Sequence, residues 1–413
     1  MSKPPVIVLA AGESKRMFPL HTLGHKSMFP ICGESLLSRT LTNLGQAGYK
    51  KIYLVIEKGS SENSQLLSWV ESVDINDLDI TLITQENALG MGNALLSAKK
   101  QAPELSKAET FAVVGPYTLQ AAQILDRLQK TGTQHSVLVT ETDEPWNYGI
   151  VEVKDDKAVS IVEKPAKGTE PSNLKIQLTY LLGASFWQVL ESTQETQWSF
   201  EVALNTLMAQ EAVGTVQIDE ALPTLKYSWN LFAFLKLILH AQPKTQIHPK
   251  ANIAQTVVID DSKGAVVIEE GATVSDFVKI GGPVYIGKNA FIGDYSLVRE
   301  SSIEENATVG AKTEVARSLL MSGSSIHYGY IADSILATKA KIGAGLITAN
   351  KRLDRNTIST LVWDKMVQTN INNFGTIIGE NSKVGIGVGI MPGILIAADS
   401  QVLPGEIVTK NIM

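Results

Sequence analysis

The sequence predicts a doubly wound α/β domain followed by a parallel β-helix. Three observations lead there. The chain has 413 residues, too many for one hydrophobic core and enough for two or three domains of about 100–200 residues each. Its first half alternates continuous apolar runs with segments of helical spacing. Its second half repeats isoleucine and valine every six residues.

The first half reads in order as follows. Val6–Ala10 is an uninterrupted apolar run, as expected of a strand buried on both faces. Ser35–Ala47 has helical spacing, Lys51–Glu57 is a second strand, Ser61–Ser72 a helix and Ile80–Thr84 a third strand. Gly92–Gln101 is helical again and Phe111–Val114 is another apolar strand. This β-α-β rhythm builds a Rossmann-like sheet, whose ligands sit beyond the C-terminal strand ends. The loops after Ala10, Thr84 and Val114 are therefore where binding residues are expected.

The texture changes near Ala251. Ile378, Val384, Ile390, Ile396 and Val402 stand six apart, with Gly379, Gly385 and Ala397 following within the run. An earlier run holds Ile286 and Ile292, takes one five-residue step to Leu297, and resumes at Ile303, Val309 and Val315. A period of six is neither helical nor simply alternating. It fits hexapeptide coils in which each turn stacks its aliphatic side chain on the next. A strand-rich sandwich would need turn signals at longer spacing. The expected division is 1–240, a linker at 241–250 containing Ala241-Gln242-Pro243-Lys244, and 251–413.

Composition narrows the class. Apolar residues make up 44% and charged residues 19% of the chain, which fits a globular protein. A net charge of −6 and an isoelectric point of about 5.6 argue against a nucleic-acid partner, which would require a basic face. The single cysteine, Cys32, cannot close an intrachain disulfide and reads as a small core residue. The runs Val6–Ala11 and Leu231–Leu239 are too short to span a bilayer. The expectation is a cytoplasmic protein with no membrane partner.

The loop after the first strand runs Leu9-Ala10-Ala11-Gly12-Glu13-Ser14-Lys15-Arg16-Met17, and His25-Lys26-Ser27-Met28-Phe29-Pro30-Ile31 follows. Small residues there let backbone N–H groups approach a phosphate, and Arg16 and Lys26 can neutralise phosphoryl charge. On composition alone the two cations serve equally well as solvated charges.

These segments resemble the nucleotidyltransferase family that makes UDP- or dTDP-sugars from sugar-1-phosphates, whose opening motif is L-A-A-G-x-G-T-R-M followed by K-P-M-x-P-I. The likeness covers roughly the first 240 residues. It continues at Gln85 and Leu89-Gly90-Met91-Gly92, where the family reads the base. It continues again at Tyr148-Gly149-Ile150-Val151 and Val162-Glu163-Lys164-Pro165, where the family holds the sugar. The resemblance implies a nucleotide or sugar-phosphate site at Leu9, Gly12, Arg16, Lys26, Gln85, Gly90, Gly149 and Glu163. It departs at Ser14 and Lys15, and at the two aspartates with which the family holds catalytic Mg²⁺. Those positions fall on Tyr117, in Val113-Val114-Gly115-Pro116-Tyr117, and on Thr224, in Leu222-Pro223-Thr224-Leu225. Mg²⁺ takes hard oxygen ligands, usually one or two carboxylates with substrate phosphates. A phenol does not replace a carboxylate at neutral pH. The family's N-x-G-x-Y is also missing from Gln177-Leu178-Thr179-Tyr180. The expectation is a retained fold with impaired nucleotidyl transfer and no metal ligands at the family positions. Asp126 or Glu144 could supply a relocated metal site.

From about residue 248 the chain resembles the acetyltransferase half of the bifunctional GlmU-type family, archaeal-like in character, which makes UDP-N-acetylglucosamine. The segments are Gly282-Pro283-Val284-Tyr285-Ile286-Gly287, His327-Tyr328-Gly329-Tyr330-Ile331-Ala332-Asp333-Ser334, Ile342-Gly343-Ala344-Gly345 and Ala349-Asn350-Lys351-Arg352-Leu353-Asp354. The resemblance implies a left-handed β-helix, a homotrimer with acyl sites between chains, and acetyl-CoA as co-substrate. His327 falls on the general base, a role suited to imidazole because it titrates near neutral pH. Arg299 falls on the sugar-phosphate arginine, with Tyr330, Ala344 and Asn350 on other substrate and CoA positions. The family's lysine after Glu314-Val315 is Ala316 here, and Lys341 or Arg317 could compensate. Three readings stay open. The chain is an amino-sugar-1-phosphate N-acetyltransferase with a damaged nucleotidyltransferase half, a fully bifunctional enzyme, or a non-catalytic regulatory or scaffold subunit that binds sugar nucleotides.

Overall fold

The structure, a computed structural model, describes residues 3–12, 14–59, 63–72, 75, 78–219 and 222–413. Glu13 of the first loop and Ser61 and Glu62 of the expected second helix lie outside the described residues. Two compact units divide the chain: residues 1–13 with 36–222, and residues 14–35 with 223–413. The expected linker at 241–250 therefore lies inside the second unit, where Gln246–Ile247 is already a strand paired with Val267–Ile268.

The first unit is a mixed nine-stranded sheet. Its strands are β1 (Val6–Leu9), β2 (Lys51–Glu57), β3 (Asp79–Gln85), β4 (Thr110–Val114), β5 (His135–Glu141), β6 (Gly149–Lys154), β7 (Lys157–Glu163), β8 (Leu174–Gly183) and β9 (Val213–Gln217). They lie in the order β3-β2-β1-β4-β8-β5-β9-β7-β6. β1 to β4 are mutually parallel where paired, and β8 enters antiparallel between β4 and β5. The helices are α1 (Leu36–Gln46), α2 (Asn63–Ser72), α3 (Gly90–Gln101), α4 (Ala121–Gln129), α5 (Ser185–Ser192) and α6 (Ser199–Gln210). Leu37, Leu41 and Leu44 bury one stripe of α1 because three- and four-residue spacing stacks side chains on one helix face. Under α5 and α6, Phe111 stacks on Trp187 at 4.2 Å and Tyr180 meets Phe200 edge-on at 4.9 Å.

The second unit is built on the left-handed parallel β-helix. Its strands are two or three residues long for most of its length, and each pairs in parallel with the strand one coil later. Three aliphatic columns fill the axis. Ile268, Ile286, Ile303, Leu320 and Leu336 form one, Val274, Ile292, Val309 and Ile326 the second, and Ile280, Val298, Val315 and Ile331 the third. The short step is placed differently from expectation. Val298 is fully buried and Leu297 is only half-buried, so the period of six persists from Ile292 to Val298 and shortens at the following corner. Corners carry residues with left-handed φ, among them Asn289, Asn306, Asn381 and Asp399, types that tolerate that conformation best after glycine. Helix α7 (Leu231–His240) precedes the first coil. One coil carries an insertion, whose hairpin pairs Ser359–Val362 with Lys365–Gln368.

Candidate functional site

In the first unit, the residues expected at the base and sugar positions fall in two clusters. Gln85, almost fully buried at the end of β3, donates from Nε2 to the Gly90 carbonyl at 3.1 Å and to Asn93 Oδ1 at 2.8 Å. Asn93 in turn donates from Nδ2 to Glu195 Oε1. The base-position amide is thus fixed by the first turn of α3 and by the 195–199 loop. In the second cluster Gly149 sits directly opposite Glu163 across β6 and β7. A Cβ on Gly149 would come within 2.7 Å of Glu163 Oε2, so a side chain there would push the end of that flexible carboxylate aside. Lys164 lies 3.8 Å from Glu163 Oε1 and 5.6 Å from the Trp198 ring. Burial pushes the nearby Glu201 carboxyl up, and the charge of Glu163 adds to the push. Leu9 ends β1, and Gly12 is exposed with open space where a side chain would stand.

Asn93, Glu195, Trp198 and Glu201 escaped the sequence reading. None lies in a strand-end loop of the β-α-β pattern. The pair Gly90 and Gly92 is the one signal that a second segment approaches there.

The positions expected to matter for a metal do not gather carboxylates. Tyr117 is half-buried in the turn after β4. Asp126 is held by Lys3 Nζ at 2.5 Å and Tyr49 Oη at 2.7 Å, and Glu144 accepts from Asn147 at 3.3 Å. No group of three or more His, Cys, Asp or Glu side chains suited to a metal occurs among the described residues.

Arg16 and Lys26 belong to the second unit, on one-turn 3₁₀ segments. The Lys26 amide donates to Ser14 Oγ at 3.1 Å, which closes the intervening chain into a loop. The buried Glu304 carboxylate holds the far end of this segment. It accepts from the Cys32 amide at 2.8 Å and the Gly33 amide at 2.9 Å. Cys32 is buried, as expected, and its amide also donates to Ser302 Oγ.

His327 lies on the strand Ser325–Ala332 with its side chain exposed. Its imidazole makes no hydrogen bond or ion pair among the described residues. The next strand, Lys341–Thr348, pairs with it and brings Ala344 opposite Tyr328. The register slips after that pair, and Gly345 absorbs the extra residue at φ +83, a conformation open to glycine at no steric cost. That accounts for the Gly-Ala-Gly run. Tyr330 stands beside Glu314 in the ladder, and Glu314 Oε1 accepts from Arg299 Nη2 at 2.8 Å. Ala316 is fully buried one coil below Arg299.

Of the two cations that could compensate for the missing lysine, Arg317 is occupied. Its Nε and Nη2 donate to the two oxygens of buried Asp333 at 2.7 and 2.8 Å. Asn350 Nδ2 donates to the same carboxylate. Lys341 is exposed with no ion pair among the described residues.

A nucleotide-type sheet followed by a hexapeptide β-helix defines a two-part transferase. The nucleotidyl transferase family model matches residues 5–218, more than half of the chain, and the chain belongs to that family. The model of the GMPPB C-terminal domain matches residues 262–370. A bifunctional protein GlmU from Methanococcus vannielii is 28% identical over 98% of this chain and 95% of its own. A bifunctional sugar-1-phosphate nucleotidylyltransferase/acetyltransferase from Sulfurisphaera tokodaii is 28% identical over 98% and 97%. Among solved structures, a UDP-glucose pyrophosphorylase from Acinetobacter baumanii is 21% identical over 58% of this chain and 95% of that one, with a TM-score of 0.48. No helix among the described residues is long and apolar enough to cross a membrane.

Proposed function

We propose that the chain is a GlmU-type transferase whose β-helix acetylates the amine of an amino-sugar-1-phosphate, and whose nucleotidyltransferase half is impaired. One observation carries the first part: the exposed imidazole of His327, without a partner among the described residues and one strand away from the Gly-Ala-Gly bulge. In the reaction the sugar amine attacks the thioester carbonyl of acetyl-CoA. His327 takes the proton from nitrogen, the carbon–sulfur bond breaks, and CoA leaves as thiolate. Lys341 and Arg299 neutralise the sugar phosphate, with Arg299 exchanging part of its hold on Glu314 for the ligand. Tyr330 lines the sugar side, and Ala344 and Asn350 the CoA side.

The exposed aliphatic side chains Ile347, Ile386, Leu403 and Ile407 on the same coils support assembly into a homotrimer with acyl sites between chains. The isoelectric point and the soluble-type composition support a cytoplasmic protein without nucleic-acid or membrane partners.

Tyr117 and Thr224 do not fit a two-carboxylate Mg²⁺ site, and Asp126 is engaged elsewhere. Phosphoryl-type transfer in this family depends on the ion for charge neutralisation, so the nucleotide half is read as a binding module for a nucleotide, sugar phosphate or nucleotide-sugar. Leu9, Gly12, Gln85, Gly90, Gly149 and Glu163 of the first unit are its proposed contacts. A second reading has a specific observation behind it: both full-length relatives are named bifunctional, which favours an active nucleotidyl half. Two assays separate the readings. Purified protein should release CoA with glucosamine-1-phosphate, and should release no pyrophosphate with UTP or dTTP and a sugar-1-phosphate. Pyrophosphate release at roughly 1–1,000 per second would establish the bifunctional reading. Absence of CoA release with every amino-sugar phosphate would leave a regulatory or scaffold role.

A further inference from the structure

A cavity of about 160 Å³ lies between helix α7 and the β-helix, and every residue lining it belongs to the second unit. Its apolar wall is Phe232, Leu235 and Leu239 of α7, Pro283 of one coil, and Ile371 of the chain returning from the inserted hairpin. Leu235 and Leu239 stand four apart on one helix face, and both are buried. The polar part of the lining holds the ion pair of Arg317 with Asp333. Asp333 takes the guanidinium at Nε and Nη2. Nη1 makes no hydrogen bond among the described residues, and the arginine side chain stays 31% exposed. Arginine carries five N–H donors in a fixed fork, so the edge formed by Nη1 and Nη2 is left for a second carboxylate. Lys236, exposed on α7, also lines the cavity and makes no ion pair among the described residues. Glu300 opposes these charges, and its own carboxylate lies 3.9 Å from Arg299 Nη1.

We propose that this cavity binds a small organic anion, one ring-sized apolar body carrying one carboxylate, and that its occupancy is felt at the acetyl-transfer site. Size sets the body, since an apolar cavity of about 150 Å³ holds one benzene. Charge sets the head group, since the unused guanidinium edge and Lys236 both favour an anion. Two contacts lead from the lining to residues of the acetyl-transfer site. Asp333 Oδ2 accepts from Arg317 Nη2 and also from Asn350 Nδ2. Glu300 pairs with Arg299. A ligand carboxylate on Arg317 competes with Asp333 for the same guanidinium, and so changes the acceptor that holds the Asn350 amide. The coupling rests on the reading of Asn350 and Arg299 as acetyl-transfer residues, whereas the binding does not.

The test is a calorimetric titration of the full chain with phenylacetate, and with phenethylamine as the probe of similar size and opposite charge. Phenylacetate should bind saturably, and phenethylamine about tenfold more weakly or not at all. Leu235→Trp fills the cavity and should abolish binding, with thermal unfolding to show that the variant folds. Arg317→Lys keeps a charge beside Asp333 and loses the fork, and should weaken phenylacetate about tenfold. If Leu235→Trp fails to fold, Arg317→Lys decides the location. Acetyl-CoA affinity, titrated with and without saturating phenylacetate, should shift about fivefold or more. Absence of saturable phenylacetate binding, or equal binding of phenethylamine, overturns the site. Unchanged phenylacetate affinity in the variants overturns its location. Saturable binding with unchanged acetyl-CoA affinity overturns the coupling alone. Absence of acetyl-CoA binding by the wild type overturns the acetyltransferase reading and the coupling with it, while the phenylacetate titration still decides the site.

Discussion

At the scale of single residues, His327 and His135 behave oppositely. His327 is exposed on its strand, and if it removes the amine proton, His327→Ala should lower acetyl transfer by about 10²–10⁴-fold. Acetyl-CoA affinity should hardly change, since the imidazole meets the amine and not the nucleotide. A CoA-release assay and an acetyl-CoA titration with both proteins check the two statements. His135 is buried and structural. Its Nδ1 accepts from the Gly183 amide at 3.1 Å, which leaves the proton on Nε2, facing Ser185 Oγ and Glu211 Oε2 at 3.1 Å each. Burial holds this imidazole below its ordinary value against the pull of Glu211. The unfolded chain therefore takes up the proton first as pH falls. The stability contribution is complete above about 6.5, the usual imidazole value, and is lost as pH drops from there through the lower native value. Urea unfolding at pH 7.5 and 5 should show wild type losing more stability than His135→Gln. Equal losses would show that His135 is not depressed.

At the scale of elements, the hexapeptide period was legible and its phase was not. Leu297 and Val298 are adjacent aliphatics, and either completes a sequence column. Which one faces the axis is decided by the ladder, where Val298 lies between Ile280 and Val315. Val298→Ala is expected to cost about 1–2 kcal/mol, from the methyl groups removed and the cavity left. Leu297→Ala removes a larger side chain and should cost less, since half of it is already in water. Chemical denaturation of the two variants would reverse the assignment if Leu297→Ala were the more damaging. The four strands read between Val6 and Val114 lie within one residue of their bounds, from Val6–Leu9 to Thr110–Val114, because buried parallel strands leave continuous apolar runs. The antiparallel entry of β8 between β4 and β5 left no such mark, since strand order is not a local property.

At the scale of the molecule, the β-helix should assemble by itself. A fragment beginning near Gln246 should be soluble and oligomeric by light scattering, because each coil buries its aliphatic column on the next. A monomeric or aggregated fragment would count against it. The sequence by itself determined the two architectures and the hexapeptide stacking, since these follow from local periodicity. Only the tertiary structure decided that residues 14–35 belong with the second unit, that Asp333 occupies Arg317, and that Trp363 meets Lys15 across 348 residues. Such pairings depend on which distant segments share a surface, and a buried carboxylate such as Glu304 or Asp333 is placed by the donors it finds there, which no spacing along the chain records.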